Sequence, residues 1–253
     1  MPSKNRLKYL ASLSKKKQRK IEGKFIVEGV RALYEGLNSD YVCEEVFIDA
    51  EHSGKVNDLI ELSESKGIPV TFVSGEEIKK IADTKSPQSV AALFRVKSNS
   101  NLSGGKFIVA LDDVADPGNL GTIIRTCDWF GVENILISAN SVDLFNPKVI
   151  RSTMGSIFHI NFEIADDLSS KLNEIKSKGY KILAADMSGK SVKEAGKIES
   201  KVVLVLGSEA FGVATEVKKT ADYAVSIPGI GKAESLNVAV AGAILIYELF
   251  GGK

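Results

Sequence analysis

The sequence predicts an α/β protein in two parts, the second built on a mostly parallel sheet. Short β-branched runs alternate with stretches of helical period through most of the 253 residues. A polar stretch, Lys97-Ser-Asn-Ser-Asn-Leu-Ser-Gly-Gly-Lys106, breaks that alternation with a single apolar residue. Beyond it, three apolar strands each run into a polar or glycine-rich loop, the place where open α/β sheets collect their ligands.

From the amino end, residues 1–24 carry nine Lys or Arg against one acid, Glu22, on a chain whose net charge is only +1. The run Lys15, Lys16, Lys17, Arg19 and Lys20 gives this segment the footprint of a nucleic-acid-binding arm. A solvated, partly disordered terminus is the alternative. Residues 25–96 then read as a small α/β domain. Helices are expected at Glu28–Leu37, Val56–Lys66 and Glu76–Ala82, and strands at Glu45–Asp49, Val70–Val73 and Val90–Val96. Residues 97–106 form the linker.

The second domain, residues 107–253, opens with Phe107-Ile-Val-Ala-Leu, a run suited to a strand buried on both faces. Further strands fit Asn134–Ser138, Tyr180–Ala184, Val202–Leu206 and Tyr223–Ile227. Helices fit Gly118–Phe130, Pro147–Met154, Leu168–Lys178 and Leu236–Phe250. The last is the most apolar segment, but it covers about three-quarters of the roughly 20 residues a bilayer crossing needs, and Asn237 and Glu248 interrupt it. A core helix is the better reading. No apolar signal run opens the chain, and Cys43 and Cys127 suggest neither a disulfide framework nor a zinc site, so a cytoplasmic protein is expected.

Several reaction classes lose ground at once. The two histidines, His52 and His159, fall outside the three loops and read as structural or surface residues. There is no Gly-x-Ser-x-Gly elbow, His-Glu-x-x-His pair or P-loop, and neither Gly207–Gly212 nor Gly229–Glu234 completes a dinucleotide fingerprint. Asp112, Asp113 and Asp116 could hold Mg²⁺, but Pro117-Gly118 favours a strand-to-helix turn capped by Asp116, and no metal is expected. Arg125 could pair with Asp128, stack on Trp129, or face a ligand. Glu209 sits at the mouth of the sheet. Asn237 lies among apolar neighbours, where a buried amide needs hydrogen-bond partners. Ser235 is either the cap of the last helix or a substrate contact.

Asp113-x-x-Asp-Pro-Gly-Asn-Leu-Gly-x-Ile-x-Arg-Thr126, Leu206-Gly-Ser-Glu-x-x-Gly212 and Ile227-Pro-x-x-Gly-x-x-x-Ser-Leu-Asn-Val-x-Val-Ala241 together closely resemble the three motifs of the SpoU/TrmH family of the SPOUT superfamily. These are RNA 2′-O-ribose methyltransferases that use S-adenosylmethionine. Gly23-Lys-Phe-Ile-Val-Glu-Gly-Val-Arg31 and Ser86-Pro-Gln-Ser-Val-Ala-Ala-Leu-Phe94 look like the amino-terminal substrate-binding domain of the rRNA-modifying branch, and add Arg31 to the residues expected to meet RNA. The chain departs from the family pattern at Gly229, Cys127 and Ser89, none of them a proposed catalytic group.

The resemblance implies a carboxyl-terminal trefoil knot, a homodimer, and a cofactor held around Leu206, Gly207, Ile227, Pro228 and Leu236. It implies catalytic or RNA-contacting roles for Asn119, Arg125, Glu209, Ser235 and Asn237, with Arg125 acting by position and charge because arginine keeps its proton. The expected activity is 2′-O-methylation of a guanosine in large-subunit rRNA. The rivals are the same chemistry on tRNA, a non-catalytic knotted ribosome-assembly factor, and a small-molecule methyltransferase.

Overall fold

The computed structural model describes residues 2–82, 84, 87–97, 102, 104–194 and 201–251. Half of the expected linker (98–101 and 103), the Ser86 that opens the second first-domain motif, and the last two residues of the second domain lie outside these. The chain divides into two compact units, residues 1–98 with 143–159, and residues 99–142 with 160–253.

In the first unit, α1 (Lys4–Ser12) and α2 (Lys16–Glu22) precede β1 (Lys24–Glu28), α3 (Val30–Leu37), β2 (Cys43–Asp49), α4 (Asn57–Ser65), β3 (Val70–Val73), α5 (Gly75–Ala82) and β4 (Val90–Arg95). The sheet order is β1-β4-β2-β3. Only β2 and β3 are parallel, and β4 runs antiparallel to both its neighbours. The expected basic arm is therefore not an arm. Ser3 caps α1 by accepting the Arg6 N–H, and Leu10 and Leu13 are buried in one cluster with Ile26, Phe47, Ile78, Ile81 and Leu93. Two fully buried leucines contribute about 1.5–3 kcal/mol each, enough to hold a charged segment in place.

The second stretch of this unit was expected in the other domain. Its helix α7 (Pro147–Thr153) is capped by Asn146, and the rings of Phe145 and Phe158 pack on Phe25 and Phe94. Arg19 is only 4% exposed: its guanidinium holds Asp143 and donates to the carbonyls of Leu13 and Ser14. His52 pairs with Asp49 and His159 with Glu35, so both histidines have structural partners.

The second unit contains β5 (Phe107–Leu111), α6 (Pro117–Trp129), β6 (Asn134–Ser138), β7 (Asn161–Ala165), α8 (Leu168–Ser177), β8 (Lys181–Ser191), β9 (Val202–Leu206), α9 (Thr215–Thr220), β10 (Tyr223–Ser226) and α10 (Val238–Phe250). Its sheet order is β10-β8-β9-β5-β6-β7, and every pairing is parallel. The central strands β5, β6 and β9 are buried on both faces, as their unbroken apolar runs require. The final strand lies at the sheet edge, yet the helix that follows it packs on α6 and β9, near the middle. The carboxyl ends of β5, β9 and β10 thus open into the three loops.

Candidate active site

Asp116 begins the site by capping α6: its Oδ1 accepts the N–H groups of Gly118 at 2.7 Å and Asn119 at 2.9 Å, with Pro117 preset at the first helical position. This confirms the capping reading. Asp112 serves a different end. Its N–H donates to Leu206 O, and its buried Oδ2 accepts Ala214 N–H at 2.7 Å, tying the first loop to the second. Burial raises its pKa, the Ala214 N–H opposes that, and the neighbouring Asp113 charge adds to the rise.

The second loop, after β9, turns sharply. Ser208 and Gly212 bridge each other through both backbone hydrogen bonds. A Cβ on Gly207 would stand 2.1 Å from Gly212 C and Val213 N, so the glycine is required first by the loop's own backbone. This fold of the chain delivers Glu209 to the first loop. Its Oε2 accepts Ala115 N–H at 3.3 Å, and its Oε1 accepts Asp116 N–H at 3.4 Å and Asn119 Nδ2 at 2.8 Å. Burial pushes the Glu209 pKa up, but the Asn119 amide and the surrounding backbone N–H groups outweigh it and hold the carboxyl below its ordinary value. Both oxygens are occupied, so Glu209 orients its donors and is poorly suited to take a proton.

The third loop closes the chain of contacts. Asn237 Nδ2 donates to Asn119 Oδ1 at 3.0 Å, while Asn237 Oδ1 accepts Ala239 N–H and Val240 N–H as the cap of α10. Asn237 is exposed, contrary to the expectation of a buried amide, because the helix begins only at Val238 and Asn237 stands outside it as the cap. Ser235, the expected alternative cap, stands exposed two residues before the true one. The structure thus joins Asn119, Glu209 and Asn237 in one hydrogen-bonded row across three motifs.

Arg125 lies further along α6, exposed, and forms no hydrogen bond, ion pair or ring contact among the described residues; neither Asp128 nor Trp129 holds it. Leu206 and Gly207 are buried, Ile227 is half-buried, and Pro228 and Leu236 are exposed. The backbone of residues 227–236 makes no hydrogen bond among the described residues. In the first unit, Lys15, Lys16, Lys17, Lys20 and Arg31 are exposed, whereas Arg19 is committed to Asp143 and is not open to a ligand. Sequence reasoning passed over Ser138 and Ser141, whose hydroxyls accept the N–H groups of Asp113 and Val114. Their one signal is a pair of hydroxyls at the end of a strand parallel to the one that feeds the first loop.

The sequence profile of the SpoU rRNA methylase family matches residues 106–247, and that of an MRM3-like substrate-binding domain matches residues 4–92. The chain is 33% identical over 240 residues to the Bacillus subtilis 23S rRNA (guanosine(2553)-2′-O)-methyltransferase RlmP, covering 94% of this chain and 93% of the relative. Its fold superposes on the AdoMet-bound rRNA methyltransferase of Sinorhizobium meliloti with a TM-score of 0.86 at 28% identity, over 98% of this chain and 95% of the other. The A. aeolicus TrmH/SpoU tRNA modifying enzyme, 32% identical with a TM-score of 0.50, covers 56% of this chain and 73% of its own.

Proposed function

The chain belongs to the SpoU rRNA methylase family, an S-adenosylmethionine-dependent RNA 2′-O-methyltransferase by that membership, and we propose that its substrate is a guanosine of 23S-type large-subunit rRNA. The observation that carries the substrate reading is the first unit. A substrate-binding domain of the MRM3-like kind spans residues 4–92, and the rRNA enzymes match the chain over both units while the tRNA enzyme matches little more than one.

The residues present suit the cofactor. Residues 227–236 offer unpaired backbone donors and acceptors beside apolar Leu206, Ile227 and Leu236, the combination that an adenosine calls for. S-adenosylmethionine supplies an electrophilic methyl group on a sulfonium. The chain's own task is then to hold a ribose 2′-hydroxyl in line with that methyl, and alignment of this kind is worth several kcal/mol. Arg125 presents a planar set of donors to phosphate and ribose oxygens. Asn119, fixed from both sides by Glu209 and Asn237, stands in the same helix to orient the nucleotide, and Ser235 contacts the ribose or the neighbouring backbone.

The same reading makes the enzyme a cytoplasmic homodimer with a carboxyl-terminal trefoil knot. Trp129 on α6 and Tyr247 on α10 are 83% and 56% exposed on two helices packed together, an apolar face that a second copy would cover. The return of α10 from the edge strand to the sheet centre is the chain path that a knot requires. Lys15, Lys16, Lys17, Lys20 and Arg31 supply the phosphate contacts. Mapping ribose methylation in RNA from cells with and without the gene tests the substrate: loss of one 23S guanosine methyl is expected, and loss of a tRNA methyl with intact rRNA would overturn it.

A further inference from the structure

Two buried serines outside all three motifs hold the loop that leads to Asn119. Ser138 ends β6 and Ser141 follows in the adjoining turn. Ser138 Oγ accepts Asp113 N–H at 2.9 Å, Ser141 Oγ accepts Val114 N–H at 3.2 Å, and the two hydroxyl oxygens lie 3.0 Å apart. One hydroxyl hydrogen fills that last gap, so the pair closes around two consecutive backbone amides. Val142 N–H returns a hydrogen bond to Val114 O from the same turn.

The clamped residue is strained. Asp113 has φ 62°, a left-handed conformation that any side chain beyond glycine resists. The turn it makes sends the next two amides, those of Ala115 and Asp116, toward Glu209 at 3.3 and 3.4 Å. Those are long hydrogen bonds, and a small retreat of the loop would lose them.

We propose that Ser138 and Ser141 are positioning residues for methyl transfer: they hold the left-handed turn at Asp113, and through it the two amides that set the Glu209 carboxylate against Asn119. This rests on reading Asn119, Glu209 and Asn237 as the cluster that orders the reacting nucleotide. The serines touch neither Glu209 nor Asn119, and act through the backbone between them.

The test uses the full chain with Ser138→Ala, Ser141→Ala and the double substitution, measuring single-turnover methyl transfer to a 23S rRNA fragment across pH, S-adenosylmethionine affinity by calorimetry, and melting temperature. Two controls run beside them. Glu209→Gln removes the oriented carboxylate, and Ser63→Ala removes another buried hydroxyl, one that bonds a helix carbonyl in the first unit. For the serine variants the rate is expected to fall roughly ten- to a hundredfold, the range for losing oriented donors, with cofactor affinity within about threefold of the parent.

The low-pH limb of the rate profile is expected to move to higher pH. The Glu209 carboxyl is held below its ordinary pKa by uncharged donors, and losing two of them lets it protonate earlier as pH falls. Ser63→Ala should lose stability and leave both rate and limb unchanged. If the double variant does not fold, either single variant carries the same reading. Normal rate and an unmoved limb in a folded serine variant, with Glu209→Gln impaired, would overturn the clamp alone. A fully active Glu209→Gln would overturn the cluster on which it rests.

Discussion

The loop after β5 and the loop before α10 meet in one hydrogen bond, Asn119 to Asn237, yet they are built in opposite ways. From Asp112 to Asp116 each amide N–H has a named acceptor: Leu206 O, Ser138 Oγ, Ser141 Oγ, and the two oxygens of Glu209. From 227 to 236 no backbone group among the described residues is paired, and the Ile230 side chain is fully exposed. The first loop is set before a substrate arrives, so its donors need no reorganisation. On the proposed reading the third gains its partners when the cofactor binds, and ordering it would cost part of the binding energy.

The contrast breaks most directly at Arg125, the α6 residue proposed to meet the nucleotide. Arg125→Ala is expected to lower single-turnover transfer roughly 10²–10³-fold while S-adenosylmethionine affinity stays nearly unchanged. Arg125→Lys should also be severely impaired, since a lysine keeps the charge and loses the planar fork. A near-normal rate in Arg125→Ala would mean that the preset loop positions nothing chemical.

Glycine substitutions sharpen it next. Gly207→Ala places a Cβ against the backbone of Gly212 and Val213 and is expected to cost about 3 kcal/mol, read as a lower melting temperature with weaker cofactor binding. Gly231→Ala, in the open loop, meets nothing within 4 Å and should change stability by at most about 0.5 kcal/mol. Equal effects at the two sites would erase the distinction.

The same division between tied and open groups recurs in α2 and the residue that precedes it. Arg19→Ala is expected to cost about 3 kcal/mol, measured by denaturant unfolding, because it strips a buried pair of one partner. Alanine at Lys15, Lys16, Lys17 and Lys20 should leave stability within about 0.5 kcal/mol. Each lost phosphate contact should instead flatten the log-log salt dependence of RNA binding by roughly 0.7. An unchanged slope would place the RNA surface elsewhere on the first unit. Deleting residues 1–20 would not make this measurement, since Leu10 and Leu13 would leave the core with them.

Much of the second unit was legible because its strands are unbroken apolar runs and its loops carry long motifs. β5, β6 and β9 fall at their expected residues, and α6 and α10 differ by one or two at their ends. β7 was missed because Asn161-Phe-Glu-Ile-Ala is an edge strand with an exposed Ile164, too polar to announce itself. α1 and α2 were missed for a related reason: charge dominated a segment whose Leu7, Leu10 and Leu13 nevertheless recur at helical spacing. β1 was missed as well: the segment before the helix read from Glu28 was assigned no element, and only Glu28 is shared between the two.

The row of Asn119, Glu209 and Asn237 was chosen by resemblance, since no spacing rule links positions about 90 and 118 residues apart. Ser138 and Ser141 carry no motif, because what they hold is backbone. Nothing local to residues 143–159 could show that they complete the first unit, since their partners Arg19, Phe25 and Phe94 lie in the other half of the chain.

That discontinuity bears on how the protein is made. Arg19 emerges early in synthesis and its partner Asp143 follows 124 residues later, after β4, the whole of α6 and β6. At about 5–20 residues per second the nascent first unit spends several seconds or more with its guanidinium unmatched and the sites for Phe145 and Phe158 uncovered. Its assembly is therefore gated by elongation, and a chain arrested before residue 143 presents an apolar surface to chaperones and proteases.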